Sequence, residues 1–161
     1  LFFPTYQSFL HNLFFPIFTG AVFIATLMFI PRKLYKKYFI YGLITGAAGD
    51  FLVALLLESV NLIEYKNAGV FTVLGLNFWA PISWMFVHMI FLYFLPQRRP
   101  FLYIYILSFA MFSRVFSNIL SNLNLFEFRG VWPYASFFVF LFWYGGAAWL
   151  YRKAEKFYTI T

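Results

Sequence analysis

Residues 32–66 read RKLYKKYFIYGLITGAAGDFLVALLLESVNLIEYK. A basic cluster comes first, then the apolar run Tyr38–Leu57 interrupted by one charge, Asp50, then a polar turn ending in Glu64 and Lys66. As a helix rising 1.5 Å per residue, that run covers about the 30 Å of a bilayer's hydrocarbon. Four other stretches have the same character: Leu13–Ile30, Leu76–Leu95, Phe101–Leu120 and Val131–Tyr151. Residues 1–12, with Pro4, Gln7, His11 and Asn12, read as an interfacial lead-in. The expected fold is therefore all-α: a polytopic transmembrane helix bundle of five spans forming a single domain over residues 1–161. The chain starts at Leu1, which leaves a preceding segment or span open.

Composition agrees. Of the 161 residues, 63% are hydrophobic and 11% charged, whereas a soluble domain carries about 25% charged residues to cover its surface. The 26 Phe and 12 Tyr suit lipid-facing surfaces and interfacial belts, although codon bias would produce them too. With no cysteine, disulfides, thiolate metal sites and cysteine nucleophiles are excluded. His11 and His88 are too few and too far apart for a metal site, and no cofactor is implied.

A net charge of +7 is compatible with nucleic-acid binding, but its distribution has a simpler explanation and no such partner is expected. Arg32, Lys33, Lys36 and Lys37 lie between the first two spans, Arg98 and Arg99 between the third and fourth, and Arg152, Lys153 and Lys156 after the fifth. Nine of the twelve basic residues thus fall on one side. Lys66 and Arg129 lie opposite, beside Glu58, Glu64 and Glu127. Because cytoplasmic loops accumulate Lys and Arg, the expectation is a multi-pass cell-membrane protein with its N-terminus outside and C-terminus cytoplasmic.

The chain also echoes itself. Asn61-Leu62-Ile63-Glu64-Tyr65-Lys66 is matched by Asn124-Leu125-Phe126-Glu127-Phe128-Arg129, and Phe29-Ile30-Pro31-Arg32-Lys33 by Phe94-Leu95-Pro96-Gln97-Arg98. A unit of two spans makes this a parallel repeat, unlike the inverted repeats of many transporters. Glu64, Lys66, Glu127, Arg129 and Trp132 are its outer-turn candidates. They suit either a helix stop with an interfacial anchor, Asn taking the left-handed position, or a ligand contact.

Inside the spans, Asp50 and Arg114 lie at nearly equal depth and are expected to pair, since an unpaired charge mid-membrane costs about 2.5–3.5 kcal/mol. Gly42, Gly46, Gly49 and Asp50 share one helix face, and the Gly42/Gly46 spacing permits close approach of another helix. Arg114, Ser117 and Asn118 form a stripe on the fourth span, and Trp84 and His88 share a face of the third, where Pro81 starts or kinks the helix. Asp50, Arg114, Asn118, Ser117, His88 and Trp84 are accordingly the ligand-binding candidates, with a purely structural ion pair the alternative. No catalytic fingerprint is present.

The run from Phe29-Ile30-Pro31-Arg32-Lys33 to Trp132-Pro133-Tyr134 resembles an uncharacterised family of small, aromatic-rich, multi-span proteins of spore-forming Gram-positive bacteria. That resemblance implies membrane residence and no established activity. Gly130-Val131-Trp132 is similar, more distantly, to the Gly-x-Trp turns of bacterial lycopene cyclase domains, whose carboxylate-rich motifs do not occur here. Three functions follow as expectations. The first is a non-enzymatic accessory subunit or binder of an apolar or amphipathic molecule, with the lipid bilayer and other membrane subunits as partners. The others are a cyclase-like isoprenoid or lipid enzyme and a small solute-binding transport subunit.

Overall fold

A computed structural model describes residues 4–66 and 71–158, with side chains from Asn12 to Lys66 and from Phe71 to Lys156; His11 lies outside the described side chains. The chain is all-α apart from short strands. Helix α1 covers Pro4–Phe29, so most of the expected lead-in is helical. Arg32–Ser59 is one continuous rod, made of a 3₁₀ turn, α2 (Tyr35–Gly42), a π turn over Leu43–Ala48, and α3 (Gly49–Ser59). Then come β1 (Ile63–Tyr65), a hairpin of β2 (Thr72–Val73) and β3 (Leu76–Asn77), α4 (Trp79–Tyr93), α5 (Arg99–Asn122), β4 (Phe126–Phe128) and α6 (Trp132–Tyr158).

Three helical stretches among the described residues are long and apolar enough to cross a membrane: Asn12–Phe29, Arg32–Ser59 and Arg99–Asn122. Their outward faces are apolar, with Ile17, Met28, Leu52 and Leu56 all at least 60% exposed. Exposed apolar surface on this scale marks a surface that meets lipid or another protein.

The third expected span is shorter than the sequence suggests. Leu76 and Asn77 belong to the hairpin, whose turn residues Leu74 and Gly75 both take positive φ. Asn77 accepts the Trp79 N–H through Oδ1 at 2.9 Å, and Pro81 follows in the first turn, so it starts α4 and does not kink it. At 15 residues α4 is about 22 Å long. It is buried on several sides, by Ser83, Trp84, Met85, His88 and Phe91 among others, as expected of a helix surrounded by others.

Helix α4 is the hub of the bundle. It packs on α1, α2, the π turn and α3, while α5 packs on α6. The glycine spacing on the second rod explains the closest approach. A Cβ on Gly42 would lie 2.7 Å from the Met85 carbonyl oxygen, and one on Gly46 2.8 Å from the Met85 Cα. Backbone thus meets backbone, with no room for a side chain between. Buried hydroxyls tie other contacts: Thr19 to Ser83 at 2.6 Å, Tyr38 to Tyr151 at 3.0 Å and Ser113 to Tyr144 at 2.9 Å.

Gly46→Ala should therefore lower stability by about 1–3 kcal/mol, because the neighbour it meets is backbone and cannot swing aside. Gly20→Ala, where a Cβ would meet nothing within 4 Å, should raise it by up to about 1 kcal/mol through helix propensity. Reversible unfolding in mixed micelles measures both, and equal effects at the two sites would contradict this packing.

Candidate functional site

Two helices that run to the same end of the bundle stop in the same way. At the end of α3, the Leu62 N–H donates to Leu57 O and the Asn61 N–H to Glu58 O, both at 2.9 Å. At the end of α5, Leu125 donates to Leu120 O and Asn124 to Ser121 O, both at 3.0 Å. Asn61 and Asn124 take the left-handed conformation, with φ of 57° and 55°. Each is a Schellman stop with Asn in the position usually given to glycine.

The segments that follow are strands, not the simple turns expected from sequence. β1 and β4 pair antiparallel, with Ile63 opposite Phe128, Glu64 opposite Glu127 and Tyr65 opposite Phe126. The Lys66 N–H donates to Leu125 O at 3.0 Å, and the Arg129 N–H to Leu62 O at 2.9 Å, extending the ladder symmetrically. Strand alternation puts charges on one face and large apolar groups on the other. On the charged face, Lys66 pairs with Glu127 and Arg129 with Glu64, so each carboxylate finds the other segment's cation, and Arg129 also lies 3.9 Å from Glu127 of its own segment. The hydrogen bond from the Lys66 ammonium, with the charges of Lys66 and Arg129, holds the Glu127 carboxyl below its ordinary value of 4.5 against an opposing desolvation.

Beneath this strand pair lies a chamber of about 50 Å³. Asp50 from α3, Trp84 from α4, Ser117 from α5, Trp132 and Trp143 from α6, and Tyr65 from β1 line it, together with apolar groups such as Phe15 and Phe126. Asp50 is 7% exposed, and its Oδ2 has no hydrogen-bond partner among the described residues. Burial first, then the carboxylates of Asp50 and Glu58, hold the Tyr65 phenol well above its ordinary value, so it stays a hydrogen-bond donor.

The π turn sets this geometry. Wider than an α-helical turn, it precedes Asp50 and rotates the residues after it relative to the glycine face. Trp143 closes on the turn. Its indole N–H donates to Thr45 O at 2.6 Å, and a Cβ on Gly49 would lie 2.7 Å from Nε1. The ring also lies 5.6 Å from that of Trp84 and 4.7 Å from that of His88, making a continuous aromatic wall.

Of the ligand-binding candidates, Asp50, Trp84 and Ser117 line the chamber, joined by the outer-turn candidate Trp132, while Arg114 and Asn118 do not line it. The expected Asp50–Arg114 ion pair is absent among the described residues. Arg114 donates to Asn118 Oδ1 one helical turn on, and its guanidinium lies 5.2 Å over the Phe128 ring. The buried line on α5 runs through Ala110, Ser113, Ser117 and Leu120. Arg114 is a residue past Ser113, and so about 100° around the helix from the line. A long side chain at that edge reaches the strand-bearing end of the bundle more cheaply than it enters the core.

His88 is buried a turn beyond Trp84. One ring nitrogen, Nδ1, lies 3.0 Å from Trp84 O, and the ring stacks on Tyr144 at 5.0 Å with an 11° interplanar angle. Nδ1 must carry the proton to make that bond, leaving Nε2 an acceptor without a partner among the described residues. His88 supports the aromatic wall and does not line the chamber. No group of three or more His, Cys, Asp and Glu among the described residues could hold a metal ion.

No protein-family model matches the chain, and no curated protein or solved structure matches it.

The β1–β4 strand pair has a pH signature. Since the folded-state value of Glu127 is lowered, its contribution is complete above the ordinary value of 4.5 and is lost as pH falls through the lower folded value. Hydrogen-exchange protection of the Lys66 and Arg129 amides, corrected for intrinsic rates, should hold steady down to about pH 4.5 and fall below it. Glu127→Gln should remove that acid limb. A limb that survives the substitution would place the titration elsewhere.

Proposed function

We propose that this protein is a five-span membrane protein, with its N-terminus outside and C-terminus cytoplasmic, that binds a small monovalent cation of the ammonium type. The cation reaches the Asp50 chamber from the outer side, past the β1–β4 strand pair. Of the three functions expected from sequence, this is the solute-binding one with its ligand class specified.

The orientation rests on the basic residues. Those between α1 and α2, between α4 and α5, and at the end of α6 share one side, and the paired strands stand on the other. Helix α4 fits as the third span despite its length, since it is enclosed by other helices and the hairpin and Phe94–Leu95 continue it. Helix α6, at 27 residues, supplies the fifth. The matching stops at Asn61 and Asn124, with the symmetric pairing of the strands, support a duplicated two-span unit carrying both halves of the outer cover.

The observation that carries the function is the unpartnered carboxylate oxygen of Asp50 within an aromatic-walled chamber. A buried carboxylate without a partner is costly. A cation that enters supplies the missing charge and hydrogen bonds, while the faces of Trp84, Trp132 and Trp143 favour an ammonium over a strongly hydrated metal ion. Ser117 and Tyr65 add polar contacts of the right size. The chamber's 50 Å³ suits a water-sized or methylammonium-sized occupant. An elongated isoprenoid would need a longer cavity, and cyclisation a second convergent carboxylate; Asp50 is the acidic residue that lines this one.

Three of the five tryptophans line the chamber, so they report occupancy directly. Methylammonium should change the intrinsic fluorescence of purified protein saturably, with sodium at equal ionic strength giving little response. Asp50→Asn should abolish the saturable part while the protein stays folded. An identical titration in wild type and Asp50→Asn would overturn the proposal.

A further inference from the structure

A second concavity lies at the opposite end of the bundle, where α5 begins and α6 ends. It is a groove of about 870 Å³, far larger than the Asp50 chamber and open to the side. Arg99, Arg152, Lys153 and Lys156 edge it, and Leu102, Ile106, Leu141 and Trp149 line its apolar part. Glu155 is the acidic residue among its lining, and that carboxylate is paired with Lys37 of α2. The rim therefore keeps an excess of positive charge. Arg152 donates to Gln97 O, bridging the two sides, and Lys153 sits 4.9 Å over the Trp149 ring, where charged edge meets apolar wall.

The floor carries a second signal. Glycine in the middle of a helix is destabilising relative to alanine. Gly42, Gly46 and Gly49 offset that cost by admitting a neighbour that a side chain would exclude. Gly145 and Gly146 admit none, as a Cβ on either would meet nothing within 4 Å. Gly145 lines the groove, so the space its missing side chain leaves is open to an occupant from outside the chain.

We infer that this groove is a binding site for an anionic phospholipid of the inner leaflet. The phosphate sits among Arg99, Arg152 and Lys153, and an acyl chain runs along Leu102, Ile106 and the bare backbone of Gly145. Charge complementarity and the sequence of basic rim, aromatic edge and apolar channel select this occupant. A free phosphate would use the rim and leave the apolar channel empty. The site stands apart from the Asp50 chamber and rests on the proposed orientation only, which sets the leaflet. Basic residues that served orientation alone would need neither a groove nor an unfilled glycine between them.

Native mass spectrometry of the full chain in mild detergent tests this, with phosphatidylglycerol or phosphatidylcholine of identical acyl chains added. Wild type should retain phosphatidylglycerol preferentially. Arg99→Gln, Arg152→Gln and Lys153→Gln together should reduce that retention on the order of tenfold or more, given the contribution of each basic residue near an anionic surface. Arg32→Gln, Lys33→Gln and Lys36→Gln together remove the same charge from the same end outside the groove, and should leave retention unchanged. Gly145→Leu fills the channel without altering charge and should also reduce it, which keeps the test decisive if the triple variant fails to fold. Equal loss in the two triple variants, full retention in Gly145→Leu, inorganic phosphate competing fully for the site, or no headgroup preference in wild type would each overturn the site. An impermeant maleimide reading Lys153→Cys against Val131→Cys reports orientation separately, so a wrong leaflet is distinguished from an absent site.

Discussion

The hydrogen bond from the Trp143 indole to Thr45 O, 2.6 Å long, holds the interior together. A helix without water around it must satisfy its own peptide groups, so a departure from α geometry persists only where something else supplies the missing partner. The π turn at Leu43–Ala48 is such a departure, and Trp143 is its partner. Through this one contact α6 is fixed against the second rod, Gly49 is obliged to lack a side chain, and Asp50 is set facing the chamber. The same ring then orders Trp84, His88 and Tyr144 into the wall behind it.

The end that carries the strand pair follows a different logic. Two short strands left unpaired would expose their backbone edges, and each here covers the other's. Their charged face crosses ion pairs between the two segments, while Ile63, Tyr65 and Phe126 on the other face form the ceiling of the chamber. Exposed ion pairs contribute little individually. Their role is registry: a slip by one residue would turn Tyr65 outward and bring Glu64 over the cavity if β1 shifted, or do the same to Phe126 and Glu127 if β4 shifted.

Much of the helical layout was legible, because apolar length and the spacing of Gly42 and Gly46 are local properties of the chain. The left-handed asparagines were legible for the same reason. The strand pair was half visible: the repeated Asn-Leu-x-Glu-x-basic segment marked the place, and its alternation of Glu with aromatics was a strand period within a turn too short to announce it. The Asp50–Arg114 pair was misjudged because equal depth does not fix azimuth, and the π turn shifts Asp50 in a way that no 3.6-residue projection anticipates. Trp143 carried no signal of its own among so many aromatics, since its role exists only once the turn has formed.

Asp50 is the only aspartate in the chain, so selective ¹³C labelling of aspartate gives one carboxyl signal in the folded protein. If the chamber is a cation site, methylammonium should move that signal saturably, and Trp143→Phe, which takes away the donor to Thr45 O, should weaken or abolish the shift. A carboxyl signal indifferent to methylammonium at saturating concentration, in protein whose other resonances report an intact fold, would contradict the account.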